Sequence, residues 1–226
     1  MMGRGYFVTG TDTGVGKTLV ACALLHAFAS MGKSVTGMKP VAAGAARSAG
    51  GLVNEDVESL RAAGNTKCDA AAMNPYCFEA AIAPHIAAEQ SGVRMSLDRI
   101  VAAYRELAGR ADVVIVEGAG GLRVPLIDQS DTADLMQRLD LPVVLVVGVR
   151  LGCINHALLT EEAILARGLR LAGWVANRID PAMPVADENI ATLQARLKAP
   201  CLGTLPFMAA TDPREAARRL TLERLV

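Results

Sequence analysis

At 226 residues the chain suits one large domain; it carries 23 basic and 23 acidic residues, for a net charge of zero, and is 52% hydrophobic but only 4% aromatic. The charge balance excludes nonspecific polyanion binding as the main activity, the apolar fraction excludes a disordered chain, and the scarcity of aromatics argues against a base-stacking or sugar-binding platform. Five cysteines, at 22, 68, 77, 153 and 201, form no C-x-x-C pair, so neither a disulfide framework nor a zinc site is suggested, and a reducing cytoplasm is expected.

The chain enters an apolar segment at 6–9 almost at once, too short for the core of a signal peptide, and no apolar run approaches the roughly 18 residues of a membrane span. Six short runs, at 6–9, 34–38, 113–116, 143–149, 171–176 and 201–205, are β-rich or apolar and end near Gly, Pro or Asn, which predicts buried strands. Between them, 18–31 carries Leu24, Leu25 and Phe28 before Gly32, and 154–166 carries Leu158, Leu159 and Ile164 before Gly168, the pattern of crossover helices. Strand and helix signals in alternation predict an α/β single domain over 1–226, with a mainly parallel central sheet flanked by helices. Residues 40–100 are broken by Ala43-Gly44, Ala49-Gly50-Gly51 and Asn74-Pro75 and read as a substrate-facing insertion. The tail after Asp212, with Arg214, Arg218, Arg219 and Arg224, reads as a docked terminal helix.

The first strand runs into Gly10-Thr11-Asp12-Thr13-Gly14-Val15-Gly16-Lys17-Thr18 and then into a helix. Glycines there let backbone N–H groups converge, the helix N-terminus adds partial positive charge, Lys17 can reach terminal phosphates, and the Thr18 hydroxyl can ligate Mg²⁺. The first position of the usual G-x-x-x-x-G-K-[ST] spacing falls on Thr11, so this is a variant phosphate loop. Its bland alternative is a glycine turn that merely caps a helix. Glu117 ends the strand at 113–116 and is followed by Gly118-Ala119-Gly120-Gly121, where a carboxylate can hold magnesium and glycines admit phosphate; the alternative is a surface-turn carboxylate.

Lys39 follows the strand at 34–38 and would project beside the first strand, where a second lysine could neutralise charge on a transferred phosphoryl group; otherwise it is a solvated strand-end lysine. Asn54-Glu55-Asp56 offers clustered carboxylates for a metal, and spacing does not choose between Glu55 and Asp56. Asn177-Arg178-Ile179-Asp180 can read a purine edge or simply end a strand; its likeness to the N-K-x-D of GTPases leaves ATP and GTP both open. At Leu151-Gly152-Cys153-Ile154-Asn155-His156, open helix-start N–H groups could bind a carboxylate; a Cys153–His156 nucleophile pair lacks an orienting acid, so packing and capping is the default. His26 and His85 have no metal-ligand partner at useful spacing.

Taken together, the glycine loop at 10–18, Lys39-Pro40-Val41, Asn74-Pro75-Tyr76, Pro84-His85, Val116-Glu117-Gly118-Ala119-Gly120-Gly121 and Leu151-Gly152-Cys153-Ile154-Asn155-His156-Ala157 make the chain resemble the dethiobiotin synthetase family over about 6–207. The resemblance implies a P-loop NTPase-like fold and a cytoplasmic homodimer that uses Mg·ATP and CO₂ or bicarbonate to close a ureido ring on 7,8-diaminononanoate, giving dethiobiotin, ADP and phosphate. It implies that Lys17, Lys39 and Thr13 serve the carbamate and transferred phosphate, and that Thr18, Asp56 and Glu117 hold magnesium. It further implies that Gly14, Val15, Gly16, Lys17, Thr18 and Leu19, with Glu117, Gly118, Ala119 and Gly120, line the phosphates. Asn177, Arg178, Leu205, Pro206 and Phe207 would meet the adenine. Cys153, Ile154 and Asn155 would hold the substrate carboxylate across a dimer interface. Position 14 is Gly where some relatives carry an acidic residue, and position 43 is Ala where relatives often place a hydroxyl near the diamine, so a water or backbone group takes over at Ala43.

Two other classes stay in view. A MinD- or ParA-like ATPase switch would bind a membrane or DNA partner, which zero net charge and the lack of a lysine in Thr9-Gly10-Thr11 disfavour. An amide-forming ATPase would activate a carboxylate instead of a carbamate. The expected partners are therefore small molecules and a second copy of the chain, with no nucleic acid and no membrane.

Overall fold

The computed structural model describes residues 4–225, the Arg224 side chain excepted; residues 1–3 and 226, which the expected single domain includes, lie outside the described residues. Six strands form the central sheet: β1 (Arg4–Gly10), β2 (Val35–Met38), β3 (Val113–Glu117), β4 (Val143–Val149), β5 (Leu171–Arg178) and β6 (Cys201–Leu205). They lie in the order β6-β5-β4-β1-β3-β2, and every neighbouring pair is parallel. All six predicted strands are present, several a residue or two longer than their apolar runs. The longer ends are polar or glycine, which backbone pairing holds without help from side-chain hydrophobicity.

The strands are almost wholly buried because both faces are covered. Side chains alternate across the pleat: Tyr6 and Val8 join Leu24, Leu25 and Phe28 of helix α1 (Lys17–Ser30), whereas Phe7 joins Ile100, Tyr104 and Leu107 of the helix Leu97–Ala108 on the opposite face. Tyr6 stacks on Phe28 with ring centroids 5.7 Å apart. On the α1 side the tail adds a five-residue helix, Pro213–Ala217, capped by Asp212, as the sequence predicts. The second crossover helix, α2 (Cys153–Ala166), packs with Trp174 and the β4 side chains Leu145, Val147 and Val149.

The 40–100 segment resolves into small pieces: a parallel pair Val41–Ala42 with Tyr76–Cys77, an exposed hairpin Ala46–Ser48 with Gly51–Val53, and the helix Glu55–Ala63. Register delivers the chemistry. Met38 pairs with Val116 and Val8 with Glu117, so Lys39 and Glu117 leave the sheet side by side at the carboxyl edge, next to the loop that follows Gly10.

Candidate active site

The glycine loop occupies 11–16 between β1 and α1. Gly14 and Gly16 have φ of 74° and 91°, in the left-handed region that favours glycine, and a Cβ at Gly16 would collide with the Asn177 amide. Gly16 starts α1 with no side-chain cap, which leaves the first N–H groups of a 14-residue helix available to an anion. Lys17 is buried, and its Nζ donates to the Asp12 carbonyl at 2.9 Å. Burial, with repulsion from Lys39, pulls its ammonium down to about 8. The Asp12 carboxylate accepts from Thr13 N at 2.7 Å and pairs with Arg150 at 2.5 Å, fixing the loop against the end of β4.

A second cation stands at the mouth of β2. Lys39 Nζ donates to Glu117 Oε1 at 2.6 Å and to Asp56 Oδ2 at 2.7 Å, while the Thr18 hydroxyl lies 2.8 Å from Asp56 Oδ1 and 2.9 Å from Glu117 Oε1. Burial works against the charged form of Lys39, but the two carboxylates outweigh it and hold the ammonium above its ordinary range. Burial likewise opposes ionised Asp56, where Lys39 prevails and lowers the carboxyl. In Glu117, which is fully buried, desolvation wins and the carboxyl is raised. Asp56 reaches the cluster because Asn54 caps its helix, accepting from the backbone N–H groups of Asp56 and Val57, and also donates to the Ala43 carbonyl at 3.2 Å. Lys39 itself is held through its backbone: its N–H donates to Met73, and the Asn74 amide donates to its carbonyl at 2.6 Å.

Two carboxylates and a hydroxyl make an all-oxygen donor set of the kind that would suit a magnesium ion. Glu117 Oε2 is buried with no hydrogen-bond partner among the described residues, an orphan acceptor that such a cation would satisfy. No group of three His, Cys, Asp or Glu suited to a metal occurs among the described residues, so a cation at Thr18, Asp56 and Glu117 would need further ligands from outside this set.

These groups open into a cavity of about 820 Å³, whose walls include Thr13, Gly14, Gly16, Lys17, Thr18, Lys39, Ala43, Asp56, Glu117, Ala119 and Gly120. A smaller pocket of about 180 Å³ adjoins it, where Gly14, Gly16 and Leu19 meet Asn177, Arg178, Pro206 and Phe207. Most predicted residues thus converge on two connected recesses. Leu205 is buried in the core beneath the smaller pocket, and Val15 is buried with its carbonyl accepting from Asn177 Nδ2 at 2.9 Å. One amide N–H of Asn177 therefore serves the loop. Gly118 donates its backbone N–H to Val8 at 3.0 Å.

Cys153, Ile154 and Asn155 do not line either recess. Cys153 is buried at the start of α2 and Asn155 is exposed. His156 is exposed too, so Cys153 and His156 face different surroundings and packing accounts for the cysteine. The larger cavity also has an apolar wall, Val41, Ile82, Pro84 and Val124; Val41 and Pro84 stand in motifs quoted from the sequence, whereas Ile82 and Val124 carry no such signal, and the 40% exposure of Ile82 is the structural sign of a binding wall.

A family model described as an AAA domain matches residues 4–215. The ATP-dependent dethiobiotin synthetase BioD of Aromatoleum aromaticum is 58% identical over 219 residues, spanning 97% of this chain and 97% of that protein. The protein of the same description from Nitrosospira multiformis is 55% identical over 224 residues, spanning 99% and 97%. Among solved structures, the septum site-determining protein MinD of Pyrococcus horikoshii, complexed with Mg-ADP, aligns with a TM-score of 0.56 at 17% identity over 99% of this chain and 87% of that one, a likeness of fold alone.

Proposed function

Because the chain belongs to the dethiobiotin synthetase family, we propose that it is an ATP-dependent ligase that closes the ureido ring of dethiobiotin from 7,8-diaminononanoate and CO₂, releasing ADP and phosphate. The observation that carries this reading is the 58% identity over 97% of the chain; the cavity supports it with a triphosphate cradle, two lysines and an apolar wall suited to an alkyl chain. In the reaction, one amine nitrogen bonds to CO₂ and loses a proton, giving a carbamate. A carbamate oxygen then attacks the γ-phosphorus as the bond to ADP breaks. The second amine displaces phosphate from the resulting mixed anhydride and loses its proton as the ring closes.

Lys17 and Lys39 stabilise negative charge on the carbamate and γ-phosphoryl oxygens, the loop N–H groups bind the phosphates, and Thr13, on the rim, hydrogen-bonds the transferred group. Magnesium, held by Thr18, Asp56 and Glu117, would neutralise phosphate charge when bound. Asn177, Arg178, Leu205, Pro206 and Phe207 form the base end, with Leu205 contributing through the backbone it shares with Pro206. The enzyme works as a homodimer in the cytoplasm, with Cys153, Ile154 and Asn155 of one protomer holding the substrate carboxylate in the cavity of the other. No helix of the described residues is long and apolar enough to cross a membrane. A MinD-like switch draws only on similarity of fold at 17% identity.

Phosphate release measured with diamine, bicarbonate and Mg·ATP, each omitted in turn, should require all of them. Turnover that needed ammonia or glutamine without bicarbonate would assign an amide-forming enzyme, and hydrolysis driven by vesicles or DNA would assign a switch.

A further inference from the structure

A second recess lies at the opposite edge of the sheet, where the strands begin. It has a volume of about 450 Å³, within the range of small-molecule sites. β1 is seven residues long, which sets the recess roughly 20 Å from the glycine loop. Four arginines, Arg4, Arg105, Arg138 and Arg170, border it, against a single lining carboxylate, Asp140. Arg138 is engaged by Asp98 at 2.6 Å. Arg4 and Arg105 make no ion pair among the described residues. Arg170 has an interaction of its own as well, so Arg4 and Arg105 are the guanidinium groups left to meet a ligand here.

Two further features point inward. The Tyr104 side chain borders the recess at 8% exposure, yet its hydroxyl has no hydrogen-bond partner among the described residues. That hydroxyl is not sealed in the core but opens onto the recess, where a ligand oxygen can accept from it. The recess also depends on Gly5, where a Cβ would run into the Tyr104 hydroxyl and approach Leu141 at 2.9 Å. Glycine at this strand position keeps the phenol seated and the space open.

We propose that this recess is a second binding site, for a small polyanion bearing phosphate or carboxylate groups, with Arg4 and Arg105 gripping the charge and the Tyr104 hydroxyl donating to one of its oxygens. Guanidinium forks match either group, so the chemistry of recognition is shared.

The test is calorimetric titration of the full chain, its glycine loop first saturated with ADP, using inorganic pyrophosphate in one arm and tricarballylate in the other. At least one arm should bind, and the preferred arm identifies the charged group. The double substitution R4A/R105A should weaken that binding at least tenfold, the loss of one charge-assisted contact or more, while ATP turnover stays at the wild-type rate. Tyr104→Phe, which removes only the hydroxyl, should weaken it by a smaller factor, and the ring resonances absent from that variant should be those that shift in wild type on titration. Absence of binding in both arms, or binding unchanged in R4A/R105A, would overturn the proposal.

Discussion

Lys39 is the residue on which the site's electrostatics turn, since its ammonium bridges Glu117 and Asp56 while itself only 4% exposed. Lys39→Met should lower kcat by about 10²–10³, the scale for losing one electrostatic donor, with KM for ATP nearly unchanged, as steady-state phosphate release will read. Removing one partner of a buried pair also costs about 3–5 kcal/mol because the other charge is left uncompensated. Tm should therefore fall, and adding Glu117→Gln should restore much of the Tm without restoring turnover; recovery of both would deny Lys39 its chemical role. Lys17 makes a pH prediction with the opposite emphasis. Its proton leaves near 8 in the folded chain and near 10.5 in an unperturbed lysine, so between those values the unfolded chain binds a proton that the fold lacks. Over that window this group makes the unliganded fold more stable as pH rises. Phosphate binding needs the charged form, so the Kd for ATP should be flat below about pH 8 and rise by up to about tenfold per pH unit above it. Lys17→Arg, which keeps its charge, should flatten that profile; a profile unchanged by the substitution would assign the titration elsewhere.

At the scale of elements, the helix Glu55–Ala63 matters because it carries Asp56 into the cluster; Val57, Leu60 and Ala63 anchor its buried face, and Asn54 fixes its first turn. Asn54→Ala removes an N-cap worth about 1 kcal/mol, which in a domain of this size is about 2–4 °C of Tm. The same change frees the link to Ala43, so the magnesium concentration needed for half-maximal turnover should rise more than KM for ATP does. Equal changes in both would show that the cap supports the fold and not the position of Asp56. This helix also marks where sequence stopped being informative. The six central strands were legible because strands buried on both faces must be continuous apolar runs, and the glycine loop was legible because only glycine meets its backbone demands. Between 40 and 100 the elements are two to nine residues long and are tied down by single side chains, Asn54 onto Ala43 and Asn74 onto Lys39 and Tyr76. Such contacts have no period. Spacing left Glu55 and Asp56 equivalent, and helical phase decided: Asp56 faces the lysine while Glu55 is exposed. The pairing of Lys39 with Glu117 was likewise a matter of strand order, since 78 residues separate them in the chain.

At the scale of the whole molecule, the distribution of the predicted residues is itself an argument. Most line two adjoining recesses, and Val15, Gly118 and Leu205 belong to the same loops and strand ends without lining them, but Cys153, Ile154 and Asn155 sit at the start of α2, outside both. Around them the surface is apolar for a helix exposed to water: Leu151 is 91% exposed and Leu159 56%. A two-fold dimer formed on this face would supply each cavity with a helix start from its partner, and the site would be complete only in the pair. Complementation tests this directly. Lys17→Met disables the cavity of its own chain, and Asn155→Ala disables the group lent to the other. Each variant alone should be nearly inactive. When the two are mixed and allowed to exchange subunits, half the dimers are mixed, and each mixed dimer has one site with both residues intact and one with neither. Activity should therefore recover to roughly a quarter of wild type, with sedimentation showing dimers throughout. If both residues served a cavity within one chain, no mixed dimer would contain an intact site, and the mixture would be as inactive as its parts.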